Sequence, residues 1–372
     1  MAYCSLQGAE PGVDPEFGVP IAWDIRLLEG YPWVQVPNRS LRPGLGRFFG
    51  LFNPGLWKLV RTGGFDAVLT YTGYFYLSFW ILAGAAKTTG TPLLFGTDAS
   101  SLRPRDLKRW KAWVKPRLAP RIFGLADVVV VGSTAGQELM RSLGIPEQRI
   151  AMTPFVVDND WWVRQSDGVN RAAVRAEWNI PEASPVVLVC AKLQPWKRPL
   201  DLLRAFAKAG VPDAYLVYAG EGPLRGQLEA VARALGVAGR VRMLGFANQS
   251  QLPAIYRAAD LLVVPSESDQ CPVVVCEAML CATPVVLSDQ VRGRLDLVAQ
   301  GKTGYVYPCG DVDALATVLR EALPDPKRLQ VLGVAARRRM ETYSPREYVE
   351  AVVQAVEEAV RLKSGAAVES EE

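Results

Sequence analysis

The feature that most narrows the folding options is a regular alternation through the second half of the chain. Short β-branched runs, PVVLVC (185–190), AYLVYA (214–219), RVRMLG (240–245), DLLVVP (260–265) and PVVLS (284–288), take turns with helix-period segments. PLDLLRAFAKAG (199–210) and PLRGQLEAVARALG (223–236) are the clearest of those segments. Strands joined by helix-length crossovers pair in parallel, and a parallel sheet carries helices on its faces. The pattern therefore predicts an α/β domain of Rossmann-like type over residues 178–343.

The first half repeats the pattern less clearly. FDAVLTY (65–71), PLLFGTD (92–98), ADVVVVG (126–132) and RIAMTPF (149–155) read as strands with apolar helices between them. One of these, YFYLSFWILAGAA (74–86), is shorter than the roughly 20 apolar residues of a membrane span and reads as a buried helix. A first domain over 1–160 follows, and the polar stretch 156–180 reads as the junction. A doubly wound domain usually opens with an apolar strand and a Gly-rich turn. Here AYCSL leads straight into an irregular stretch, so the first domain reads as lacking its opening β-α unit. No signal peptide is expected from the polar, Pro/Gly-rich start. Residues 344–363 form an amphipathic helix expected to pack back on the first domain, and 364–372 read as a disordered tail.

Composition removes several chemistries. The 372 residues hold 42 Lys+Arg against 38 Asp+Glu, a net +4, which argues against a dedicated nucleic-acid binder. Histidine is absent, so catalysis through imidazole or a His-ligated metal is excluded. Six cysteines form no CxxC pair and read as small buried hydrophobes in a reducing cytoplasm.

Three stretches carry candidate chemistry. In DLLVVPSESDQCPVVVCEAMLCATPVVLSD (260–289) a strand runs into a polar loop with Asp269, then Pro272 opens a helix that carries Glu277. Ligands of open α/β sheets sit beyond the carboxyl ends of strands, and helix starts attract phosphate. A carboxylate one turn further on is suited to a ribose diol. In VCAKLQPWKRPLDLLRAF (189–206), Lys192 and Lys197 fall between a strand and a helix, where two cations suit a diphosphate. YAGEGPLRG (218–226) places Gly220 and Gly222 in a G-x-G turn. That turn also motivates an NAD(P)-linked oxidoreductase, but the acidic residue expected after the next strand is replaced by Leu244 and Gly245.

Taken together, AKLQPWKRPLDLLRAF, LVYAGEGPLRGQLE, RVRMLGFANQSQLPAIYRAADLLVVPSES, CEAMLCATPVVLSD and GKTGYVYPCGD resemble glycosyltransferase family 4, the retaining group with the GT-B fold of two facing Rossmann domains. The resemblance covers about 125–320. It implies a metal-independent transfer of a sugar from a nucleotide-diphospho-sugar to an acceptor hydroxyl, with retention and with no cofactor. The family's diphosphate-binding Arg and Lys fall on Lys192 and Lys197, the first a swap that loses the planar fork. Its Glu, seven residues, Glu motif falls on Asp269 and Glu277. The resemblance then gives Glu277 the nucleotide ribose and Asp269, one methylene short, the transferred sugar. Gln270, Cys271 and Pro272 stand where the family has Gly-Phe-Gly; Gln270 and Cys271 join Val273, Gly220, Gly222, Gly245 and Phe246 as donor-side positions, while Pro272 has no N–H and loses one backbone donor. Asp158-Asn-Asp160 spells D-x-D but follows the first domain's last strand, where metal binding is not expected.

On the acceptor side, Asp98 ends a strand in FGTDAS. SLRPRDLKRWKAWVKPRLAPR (101–121) sets eight Lys/Arg and Trp110 and Trp113 against one acid, a pattern suited to peripheral contact with an anionic membrane. The expected partners are a nucleotide-sugar donor and a carbohydrate or lipid-linked acceptor, in the cytoplasm. A nucleotide-sugar-binding protein without turnover is the remaining alternative.

Overall fold

A computed structural model describes residues 1–13, 19–102 and 109–369, leaving the side chains of 109–113 and 366–369 outside the description. Most of the Trp-bearing segment 103–113 and the end of the tail, 370–372, thus lie beyond it. The chain forms two compact units. The first comprises residues 1–10, 26–154 and 346–372, and the second 11–25 and 155–345.

In the first unit, β1 (Val68–Thr70), β2 (Leu93–Thr97), β3 (Val128–Val131) and β4 (Ile150–Met152) pair in parallel in their chain order. Side chains alternate across a sheet, so neighbouring residues feed two cores. Leu93, Phe95, Val129 and Val131 pack with Leu56 and Val60 of α1 (Gly55–Thr62), Phe79 and Leu82 of α2 (Leu77–Thr89), Phe123 of α3 (Arg109–Phe123) and Met140 of α4 (Thr134–Ser142). Leu94, Val128 and Val130 on the other face meet Ala355 and Ala359 of the last helix, Pro345–Glu369. That helix continues past Lys363 to Glu369, into residues read from their small and polar composition as a disordered tail. Helix α2 starts three residues later than its apolar run and is not wholly buried, since Trp80 remains 39% exposed. At the chain start, Ala2–Tyr3 pairs in parallel with Val34–Gln35 as a separate ribbon. The buried Asn53 amide donates to the Cys4 and Val36 carbonyls at 3.0 and 2.7 Å and fixes that ribbon.

The second unit holds β5 (Val186–Cys190), β6 (Tyr215–Ala219), β7 (Val241–Gly245), β8 (Leu261–Val264), β9 (Val285–Ser288) and β10 (Gly304–Tyr307), all parallel. Their spatial order is β7-β6-β5-β8-β9-β10, the doubly wound arrangement with its reversal between β5 and β8. Val186–Val189 are buried on both faces, as crossover helices on each side require. Helices α5 (Asn159–Asp167) and α6 (Arg171–Glu177) occupy the stretch read as a junction and pack on the second unit. Residues 19–25, read as irregular, also belong there. Asn248 donates to the Ala22 carbonyl at 2.7 Å, Asp24 accepts from the Ser250 amide, and Trp23 meets Phe246 edge-on with ring centres 6.2 Å apart. Among the described residues no helix is long and apolar enough to cross a membrane.

Candidate active site

Every donor-side residue proposed from the sequence sits at or beyond the carboxyl end of β7, β6, β5 or β8, four neighbouring strands of the second sheet. Parallel strands all end on one edge, so segments far apart in sequence arrive at one rim.

After β5, the loop Ala191–Arg198 carries Lys192 and Lys197, both partly exposed. Pro199 opens α7 (Pro199–Ala209), and Arg198 takes a left-handed conformation at φ 49° to make the corner. The loop after β6, which leads into α8 (Arg225–Ala234), packs directly against it. The Leu193 amide donates to the Glu221 carbonyl at 2.8 Å, and the Leu224 amide to the Leu193 carbonyl at 3.1 Å. This contact accounts for the two glycines. A Cβ on Gly220 would lie 2.0 Å from the Ala191 carbonyl oxygen, and one on Gly222 within 2.9 Å of three Leu193 backbone atoms. Both also adopt positive φ, 143° and 155°. The G-x-G string is a loop-on-loop packing device here.

After β8, the loop Pro265–Pro272 is held from two sides. The Glu267 amide donates to the Trp196 carbonyl at 2.9 Å, and Arg198 pairs with the Glu267 carboxylate at 3.0 Å. Arg292 and Gly293 amides donate to the carbonyls of Asp269 and Gln270 at 3.0 and 2.7 Å. The consequence is that Asp269, 14% exposed, forms an ion pair with Lys197, 21% exposed. Two residues 72 positions apart thus meet at the β5/β8 reversal.

Pro272 stands just outside α10 (Val273–Leu280), at φ −68°, ψ 121°, and not within its first turn as its identity suggests. No side chain caps this helix, and its first turn holds no acid. Its start therefore keeps N–H groups uncapped by any side chain, the property that draws phosphate. Val273 is 48% exposed. Cys271 turns its thiol toward Cys276, and that contact together with burial pushes the Cys271 thiol well above its ordinary range.

Glu277 is buried on α10, 4% exposed. Burial pushes its carboxyl up to about 7, while hydrogen bonds from Tyr256 and Gln249 work in the opposite direction. The Tyr256 hydroxyl, on α9 (Leu252–Ala258), donates to Glu277 Oε2 at 2.7 Å, and its oxygen lies 3.4 Å from Cys190 Sγ at the end of β5. Burial pushes the Cys190 thiol up to about 12, and it feels both Glu277 and Lys197. Lys197, Asp269 and Glu277 are thus gathered around the end of β5. Tyr256 and Gln249 were not singled out from sequence. A Tyr in the helix-period segment YRAAD reads as core, and only its hydroxyl's direction shows what it holds.

Gly245 ends β7 at φ 77°, with its carbonyl accepting from the Gly220 amide at 2.7 Å. Phe246 follows, against Trp23. Asp158 caps α5, accepting from the Trp161 amide at 2.9 Å, which gives the D-x-D acid a structural task. Asp98 lies in the other unit, exposed after β2.

Known proteins resemble both halves of the chain. Residues 9–155 match the glycosyl transferase 4-like domain, and 170–339 match glycosyl transferases group 1. D-inositol 3-phosphate glycosyltransferase of Streptomyces avermitilis is 29% identical over 344 residues, covering 86% of this chain and 70% of that protein. A GDP-mannose-dependent alpha-(1-6)-phosphatidylinositol monomannoside mannosyltransferase of Mycolicibacterium smegmatis is 32% identical over 226 residues, covering 58% of each. The chain thus spans 58% to 70% of the length of these two relatives. Among solved structures, Anabaena HepE in complex with UDP superposes with a TM-score of 0.69 at 22% identity, covering 88% of this chain and 85% of that one. That likeness is one of fold, the GT-B class with two Rossmann-like domains. With both domain types matched in order and the doubly wound sheet in place, the chain belongs to the group 1 glycosyl transferases, family 4.

Proposed function

We propose that the chain transfers a sugar from a nucleotide-diphospho-sugar to an acceptor hydroxyl, with retention of anomeric configuration and without a metal. The observation that carries this reading is the gathering of Lys197, Asp269 and Glu277 at the reversal of the second sheet, beside an uncapped helix start.

Each group has a task in that reading. Lys192 and Lys197 hold the diphosphate, aided by the first-turn N–H groups of α10 through Val273 and the loop Gln270–Cys271. When phosphate engages Lys197, Asp269 is released from its ion pair and is available to hydroxyls of the transferred sugar. Glu277, held by Tyr256 and Gln249, accepts from the ribose diol. Gly245 and Phe246 flank the base, and Gly220 and Gly222 shape the adjoining loop. The bond from the anomeric carbon to the phosphate oxygen breaks while the acceptor oxygen bonds the same face. The acceptor's proton passes to the departing phosphate oxygen, so no imidazole is called for. The two lysines stabilise the charge growing on the leaving diphosphate, the kind of electrostatic contribution that dominates many active sites.

The relatives' printed names guide the choice of substrates. One acts with GDP-mannose on a phosphatidylinositol mannoside, and a structural neighbour is bound to UDP-glucose. A lipid-linked or inositol-type acceptor therefore leads, with Asp98 on the acceptor side and residues 101–121 in peripheral contact with the inner membrane face. The test is calorimetry against UDP-, GDP-, ADP- and dTDP-sugars, then transfer to phosphatidylinositol and free inositol phosphate with and without EDTA. One donor is expected to bind, and the product is expected to keep the donor's anomeric configuration by NMR at an EDTA-independent rate. An inverted product or loss of rate with EDTA overturns retention or metal independence, and no binding of any donor overturns the whole reading.

A further inference from the structure

In the first unit, residues 38–52 form a loop pinched at its base. The Asn38 side chain donates to the Gly50 carbonyl at 2.9 Å and accepts from the Phe52 amide at 2.9 Å, and the Arg39 amide donates to the Phe52 carbonyl at 2.7 Å. The interior is closed too. A Cβ on Gly50 would fall 1.9 Å from the Gly44 carbonyl oxygen, and the Gly46 amide reaches the Tyr76 hydroxyl at 3.1 Å. Buried Leu51 and Asn53 fix its exit to the start of α2. A loop this well tied has no need to expose apolar side chains, yet it does. Leu41 is 100% exposed, Phe49 68%, Leu45 53% and Phe48 44%.

Arg42 and Arg47, both exposed, stand among these four. From Gly30 to Phe65 the chain carries Arg39, Arg42, Arg47, Lys58 and Arg61 and no Asp or Glu. Clustered exposed apolar groups mark an interaction surface. A second copy of the same acid-free surface would be repelled by its own cations. Phe and Leu beside Arg fit the boundary of a bilayer with anionic headgroups, where the rings enter the acyl region and the guanidiniums stay at the phosphates.

We infer that the loop 38–52 is a docking wedge for membranes carrying anionic lipid, inserting Leu41, Leu45, Phe48 and Phe49 between headgroups that Arg42 and Arg47 bind. This deepens the proposed membrane-side reading and rests on it for its biological sense, but it is tested apart from the donor site. The full chain is sedimented with vesicles of phosphatidylcholine alone or mixed with phosphatidylglycerol. Binding is expected only to the mixed vesicles. The double change Phe48→Ser, Phe49→Ser is expected to lower the partition coefficient about tenfold or more, and Arg42→Gln with Arg47→Gln about fivefold per charge removed. Both pairs are exposed, so thermal unfolding and nucleoside-diphosphate affinity are expected to stay as in the parent. A parent that ignores mixed vesicles, or a Phe pair variant that binds them as well as the parent, overturns the inference. So does a dimer in analytical ultracentrifugation that the Phe changes dissolve, since the wedge then docks a second copy. Loop-dependent vesicle binding in a protein that binds no nucleotide supports the wedge while the proposed transfer fails.

Discussion

The two sheets of this chain are built from the same unit and differ in how it is repeated. In the first, β1 to β4 add in one direction, each new strand beside the last. In the second, β5, β6 and β7 add one way, and the chain then returns to place β8 on the other side of β5. Only the reversal makes adjacent connections diverge and opens a crevice over the strand ends. The loops after β5 and β8 leave that point separately and meet again as Lys197 and Asp269. In the first sheet Asp98 follows a strand end with no such reversal beside it among the described strands and stays exposed. Strand order decides where side chains distant in sequence are brought together, and the comparison predicts that donor recognition resides in the second unit.

The sharpest way to break this comparison is charge removal at each strand end. Lys197→Ala leaves Asp269 facing an incoming diphosphate without its cation, and about a thousandfold loss of nucleotide-sugar affinity is expected, ~4 kcal/mol. Asp98→Ala is expected to leave that affinity within about twofold. Calorimetry that shows similar losses at both positions removes the distinction between the sheets.

A second effect follows from Glu277. Its carboxyl titrates at about 7 in the folded chain, above its ordinary value of 4.5, because it is buried. The folded state therefore binds more protons between those values, and stability is expected to fall as pH rises from about 4.5 to about 7, by roughly 3 kcal/mol, and to level off above. Denaturant titrations across that range measure it, and Glu277→Gln is expected to flatten the slope. Nucleotide-sugar affinity is expected to run the other way and rise with pH through about 7, since the ionised carboxylate accepts from the diol. The smallest effect sharpens the same point. Tyr256→Phe removes one donor to Glu277, so the affinity midpoint is expected to shift to higher pH, with about a fivefold loss at neutrality, ~1 kcal/mol. An unmoved midpoint separates Tyr256 from the site.

What was legible in the sequence follows the same physics. Strands buried on both faces are continuous apolar runs, so β5, β6, β8 and β9 stand out from their neighbours. Strand β10, Gly304–Tyr307, is an edge strand with one β-branched residue, too weak a pattern to mark a strand. The helices over 159–177 were hidden by their polar surface residues, although Trp162 and Arg175 are buried. Lys197, Asp269 and Glu277 were legible through their place after strands and through resemblance. Their shared partners were not, because Tyr256 is 21 residues from Glu277 and 66 from Cys190, and no local pattern records a hydrogen bond at that range.

The assignment of residues 11–25 to the second unit has a practical outcome. The polypeptide passes from one unit to the other at 10/11, 25/26, 154/155 and 345/346, so the two are interleaved and not strung like beads. A gene fragment beginning at Phe155 would strip Trp23 from Phe246 and leave Asn248 and Ser250 without their bonds to Ala22 and Asp24. Recombination that swaps lobes between relatives must carry this short early piece along with the late one, or the chimera inherits a raw surface around Phe246, Asn248 and Ser250.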